Sequence, residues 1–126
     1  MGDRSRVLIR PADYDCLDTV VEEAFEAFAV DVTGKKVLVK PNLLSARSPE
    51  KGVTTHPALV AAVIKSLEKR NAREIVVGDN SGMSGYGEND AVAAKTGVLG
   101  AAGKYFRNLG LSPVRVPLHN PHASEV

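Results

Sequence analysis

The run Val37-Leu38-Val39, followed at once by Lys40-Pro41-Asn42, narrows the choice of folds more than any other stretch of the chain. Three aliphatic residues in a row abandon the in–out alternation of a half-buried strand and predict a strand covered on both faces. Strands of that kind belong to parallel sheets flanked by helices. The polar tip then lies at the carboxyl edge of the sheet, where open α/β folds collect their ligands.

The neighbouring pattern agrees with a parallel sheet. Val7-Leu8-Ile9 reads as a short first strand closed by Arg10-Pro11. Over residues 14–30 the apolar positions Leu17, Val20, Val21, Ala24, Phe25 and Phe28 recur at helical spacing, so an amphipathic helix is expected there. Thr33-Gly34-Lys35-Lys36 turns the chain into the second strand, residues 37–40. Residues 56–71 repeat the helical rhythm with Leu59, Val60, Val63, Ile64 and Leu67 on one face. Pro57 suits the first turn of that helix, Thr55 or His56 its N-cap, and Asn71 the left-handed residue beyond its C-terminus. Glu74-Ile75-Val76-Val77-Gly78-Asp79 supplies a third strand, again aliphatic at its centre and charged at its end.

A glycine-rich stretch, residues 80–88, leads to two shorter helical patterns. The later one carries Leu99, Ala102, Tyr105, Phe106 and Leu109 and stops at Gly110, although Gly100 and Gly103 interrupt it at a cost of about 1 kcal/mol each relative to Ala. Val114-Arg115-Val116, with Pro113 and Pro117 on either side, reads as a fourth strand at a sheet edge. The order of elements predicts one α/β domain over residues 1–126. Its expected architecture is three-layered, a mostly parallel sheet of about four strands with right-handed crossovers and helices on both faces.

Composition closes off several functions. Sixteen basic and fifteen acidic side chains are interspersed, and there are only three Phe and three Tyr, so neither a cationic face nor a stacking platform for nucleic acid is expected. No stretch reaches transmembrane length and no apolar signal segment opens the chain, so no membrane partner and a cytoplasmic location are expected. The single cysteine, Cys16, rules out an internal disulfide and an all-cysteine metal or iron–sulfur site within these residues.

Parallel strands point their carboxyl ends the same way. Lys40 and Asn42, the Thr54-Thr55-His56 corner and Asp79 are therefore expected to gather on one rim. The start of a helix adds free N–H groups and partial positive charge, which with Lys40 favours a small anionic ligand. The plainer alternative leaves Lys40 solvated, with Thr55 and His56 only capping the helix and Asp79 capping a turn. Residues 41–55 form a connection far longer than the about 2–6 residues usual in such folds, which suggests a task for it. The glycine-rich stretch matches neither G-x-x-x-x-G-K-[ST] nor G-x-G-x-x-G and reads as a lid or plain loop. His56, His119 and His122 with Asp79 could supply ligands to a divalent ion, but the His119-Asn120-Pro121-His122 spacing is not helical and solvated tail histidines are the simpler reading, so no metal site is assigned. Ser81 or Ser84 beside His56 lacks the sequence of a nucleophile elbow.

Taken together, Val39-Lys40-Pro41-Asn42, Gly52-Val53-Thr54-Thr55-His56-Pro57 and Ile75-Val76-Val77-Gly78-Asp79 resemble the N-terminal half of the proteins grouped as domain of unknown function 362. The chain departs from that family at Gly78-Asp79-Asn80-Ser81-Gly82, where a proline is common, and it ends about where family sequences continue, as a fragment or a short member would. Members are α/β proteins often joined to a segment that binds 4Fe–4S clusters. The resemblance thus implies redox-linked work, with no cofactor within this chain and any cluster in a missing C-terminal region.

The expected function is binding of a small anionic molecule, with Lys40 supplying charge, Asn42, Thr55 and His56 lining the site, and Asp79 fixing the loop or acting as a base. Whether that makes an enzyme is left open. The alternative is a non-catalytic interaction or scaffold module whose open sheet edge pairs with a missing half or forms a homodimer.

Overall fold

The computed structural model describes residues 5–83, 86–111 and 113–115. The two central aliphatic runs pair in parallel: β1 (Lys36–Val39) lies beside β2 (Glu74–Val77), with Val37 opposite Ile75 and Val39 opposite Val77. The crossover between them is α2 (Pro57–Lys69), whose Val60, Ile64 and Leu67 are buried against Ile75 and Val77. His56 caps its start by accepting from the Ala58 N–H through Nδ1. Its far end closes on Asn71, which takes the left-handed conformation (φ 54°) expected of it. The Asn71 carbonyl accepts from the Gly34 N–H at 2.9 Å and the Lys35 carbonyl from the Arg73 N–H at 2.9 Å, so the entries to both strands are tied together.

Before the sheet, α1 (Leu17–Ala27) buries only Val21 and is clipped to α2 by polar contacts. The Glu22 carboxylate accepts from the Ser66 hydroxyl, from Arg70 at 2.8 Å and from Lys69 at 3.1 Å, and these donors hold its pKa down to about 2. After β2 come α3 (Asn89–Lys95) and α4 (Val98–Ala102), which add Val92, Ala93, Val98 and Ala102 to the core under the same sheet face.

Three expectations resolve differently. Residues 7–9 form no strand, and Val7 and Ile9 are 78% and 81% exposed. The last helical pattern stops early because Gly103 turns to φ 50°, ψ −124°, which frees Phe106 to bridge Val77 in parallel and lets the Arg107 N–H donate to the Val77 carbonyl at 2.9 Å. The place beside β2 is thus taken by 106–107, while 113–115 carry no strand and Val116 lies outside the described residues. Finally, the described sheet is covered on one face only. Val37, Val39, Ile75 and Val77 meet the helices, whereas Leu38 is 57% exposed and Val76 half-buried on the other side. The described residues therefore form a small two-stranded parallel sheet with helices.

Gly78 continues β2 into the rim where Arg107 and Leu109 cross it. A Cβ at this position would lie 2.5 Å from the Arg107 carbonyl oxygen and 2.9 Å from the Leu109 Cγ. We expect Gly78→Ala to destabilise the fold by about 1–3 kcal/mol, the scale of an overpacked site, read as a lowered denaturation midpoint in urea.

Candidate functional site at the carboxyl edge

The rim is built around the carboxylate of Asp79, 6% exposed at the end of β2. One oxygen accepts from the buried Leu43 N–H at 2.9 Å and the other pairs with the Lys40 ammonium at 2.7 Å, so a single side chain ties together the loops that follow both strands. Burial alone raises the Asp79 pKa. The hydrogen bonds from Lys40, Leu43 and Asn80, together with the Lys40 charge, outweigh that effect and hold the pKa below its ordinary value. Lys40 itself remains 66% exposed along its side chain.

Next to this pair, the long loop is clasped at its ends. The Asn42 N–H donates to the Thr55 hydroxyl oxygen at 2.8 Å, the Thr55 N–H returns to the Asn42 carbonyl at 3.0 Å, and the Asn42 side-chain amide donates to the Val53 carbonyl at 3.2 Å. The closure explains how residues 43–54 leave the strand and return to the start of α2. His56 follows directly. Its Nδ1 is occupied by the helix cap, which puts the ring proton on Nε2, and its ring stacks on Tyr14 at 3.6 Å and 15°.

The structure thus brings the five expected residues into two adjoining groups, Lys40 with Asp79 and Asn42 with Thr55 and His56. Lys40 and Thr55 also share a groove of about 230 Å³ whose walls include Leu59 and Val63. Asn42, His56 and Asp79 do not line that groove.

Several participants carry no sequence signal. Asn89 is fully buried and accepts from the Ser81 N–H at 2.9 Å while donating to the side chains of Asn80 and Asn108, each at 3.0 Å. Ser81 donates its hydroxyl to the Leu44 carbonyl at 2.9 Å. This serine is therefore a pin between the two rim loops, and the first part of the glycine-rich stretch is fastened rather than free. Tyr14 reaches the rim from a turn built on Asp13, whose carboxylate accepts from the Asp15 and Cys16 N–H groups.

The expected gathering of histidines cannot be followed, because His119 and His122 lie outside the described residues. Among the described residues no three His, Cys, Asp or Glu side chains converge, and Cys16 is exposed. These residues do not fit an iron–sulfur cluster. No described helix is long and apolar enough to cross a membrane.

In comparisons with known proteins, the family model described as Domain of unknown function (DUF362) matches residues 37–116, well over half of the chain. No curated protein and no solved structure matches it.

Removing the Asp79 carboxylate strands the buried Leu43 N–H, at a cost of about 1–3 kcal/mol. Asp79→Ala is therefore expected to unfold at lower urea than the parent at neutral pH. Because the folded pKa of Asp79 is depressed, its contribution is complete above the ordinary carboxylate pKa and fades as pH falls through the folded value. The gap between variant and parent should narrow correspondingly in acid urea titrations.

Proposed function

We propose that this chain, which belongs to the DUF362 family, binds a small anionic ligand at the carboxyl edge of its sheet and serves a redox-linked enzyme. The observation that carries this reading is what each rim residue has left after its internal bonds are made. Thr55 uses its oxygen to accept from Asn42 and keeps its O–H; His56 uses Nδ1 for the cap and keeps Nε2–H. Asn42 gives one amide hydrogen to Val53 and Lys40 gives one ammonium hydrogen to Asp79, leaving one and two in reserve respectively. Donors remain on Asn42, Thr55 and His56 at the start of α2, where the helix dipole adds partial positive charge, and on Lys40, which shares a groove with Thr55. An anion is the complement of such a set.

The Lys40–Asp79 pair tempers this site. Its near-neutral charge favours a ligand that hydrogen-bonds well, such as a carboxylate or phosphate monoester, over a bare counterion. The groove beside Lys40 and Thr55, walled by Leu59 and Val63, suits a short apolar portion of the same molecule. In this proposal an iron–sulfur cluster serving the enzyme is carried by another polypeptide segment, because the described residues offer no ligand set for one. The wider, three-layered sheet expected from the order of elements belongs to the same proposal, with added strands and helices completing what β1 and β2 begin.

Calorimetric titration with inorganic phosphate, phosphate monoesters and short carboxylates tests the site. At least one class is expected to bind, and Lys40→Met should weaken it about 10-fold or more, the value of a charge-assisted hydrogen bond. Binding that is indifferent to Lys40→Met, or absent for all three classes while the protein remains folded, would remove the proposal.

A further inference from the structure

We infer that a cavity at the amino end of β2 binds a sugar phosphate, its phosphoryl group held by Arg73, Lys104 and Arg107 and its hydroxyls by Glu68 and Glu74. The cavity, of about 660 Å³, lies between the last turn of α2, the start of β2 and the segment that Phe106 bridges to Val77. It stands apart from the rim, at the other end of the same strand from Asp79. Its volume falls within the roughly 300–1,000 Å³ of small-molecule sites and leaves room for an organic portion beside the phosphate.

Arg107 is prepared for an oxyanion. Its main chain is tied to β2, with the N–H donating to the Val77 carbonyl at 2.9 Å. Its Nη1 donates to the carbonyls of Lys104 at 3.0 Å and Phe106 at 2.7 Å, which uses both hydrogens of that nitrogen. The edge formed by Nε and Nη2, the pair that grips an oxyanion in two parallel bonds, makes no hydrogen bond among the described residues. Because its own turn already holds the guanidinium, little freedom is lost when a ligand arrives. Arg73 is anchored through its main-chain N–H to the Lys35 carbonyl at 2.9 Å, and its side chain makes no hydrogen bond or ion pair among the described residues. The Lys104 ammonium lies 4.9 Å from the centre of the Tyr105 ring and has no acidic partner among them.

Charge and the two acids specify the rest of the ligand. Glu68 accepts from the Tyr105 hydroxyl, and Glu74 pairs with Lys36 at 2.9 Å. The Glu74 carboxyl is held below its ordinary pKa first by the hydrogen bond and charge of Lys36, then by the charges of Arg73 and Arg107, so both guanidiniums bear on the same small region. Counting Lys36, four cations stand against two carboxylates, an excess of two positive charges. A phosphate monoester carries about −1.5 to −2 at neutral pH and matches that excess, whereas a single carboxylate covers only half of it. Carboxylates only accept hydrogen bonds, and the lone pairs that Glu68 and Glu74 have left suit the hydroxyls of a sugar. The apolar walls of the groove at the rim offer no such acceptors.

Ribose 5-phosphate, titrated into the full chain and followed by amide chemical shifts, tests the site. The largest changes are expected at Arg73, Glu74 and residues 104–107, beyond those produced by sodium chloride at equal ionic strength. Arg107→Lys keeps the charge but lacks the two-pronged edge, and Arg73→Met removes a side chain with no internal bond. Each should weaken binding about 10-fold or more while the far-UV spectrum stays that of the parent, and Lys40→Met should leave this binding unchanged. Shifts no larger than those given by salt, or affinity indifferent to either arginine variant, overturn the inference. So do changes confined to Asn42, Thr55 and His56, which would leave the anion site at the rim standing. Binding in the cavity with none of the three ligand classes bound at the rim would uphold this inference and remove the other.

Discussion

The buried carboxylate of Asp79 is the contact on which the rim depends. Two parallel strands bring their carboxyl ends side by side but do nothing to order the loops that leave them. Asp79 supplies that order by reaching from the end of β2 to the Leu43 N–H and the Lys40 ammonium beyond β1. With Leu43 fixed, Asn42 stands where it can clasp Thr55, and with Thr55 fixed the N-cap at His56 falls into place. A buried anion is tolerated only when it is paired and hydrogen-bonded, and here both oxygens are engaged. The exposed Lys40 contributes little stability through charge alone, because solvent screens it. In the proposed function its larger role is to keep a hydrogen-bonding ammonium at the mouth of a groove.

The same economy of cover runs through the fold. One face of the small sheet carries the core, where Val60, Leu67, Val77 and Val98 are nearly inaccessible to solvent. The other face carries Leu38 in the open, with charges arrayed around it. An isolated two-stranded sheet is marginal in water and relies on the helices packed against it. The uncovered face and open edge of β1 leave room for more structure from outside the described residues, as the wider sheet expected from the order of elements would require.

What could be read from the residues was what local rules govern. The parallel pair, α2 with Pro57 in its first turn, His56 at its N-cap and Asn71 beyond its end, and the gathering of Lys40, Asn42, Thr55 and Asp79 all follow from short-range pattern and the shared direction of strands. The misreadings have equally physical causes. Val7-Leu8-Ile9 has strand composition, yet composition cannot supply a neighbouring strand. Gly103 sat inside a helical rhythm that its own left-handed freedom broke. A run such as Val37-Leu38-Val39 has the same pattern whether its second face is buried or merely awaits cover. Asn89 was invisible because a buried amide and a solvated one look alike in sequence, and only the converging Ser81, Asn80 and Asn108 distinguish them.

A carbon-detected NMR titration of the Asp79 carboxyl, read together with the Leu43 amide, tests the central claim most directly. The Asp79 carboxyl should titrate below the ordinary aspartate value, with the Leu43 amide shifting over the same pH interval as their hydrogen bond is lost. Titration at or above the ordinary value, with Leu43 unmoved, would contradict the account, because the carboxylate could not then be what holds the two rim loops together.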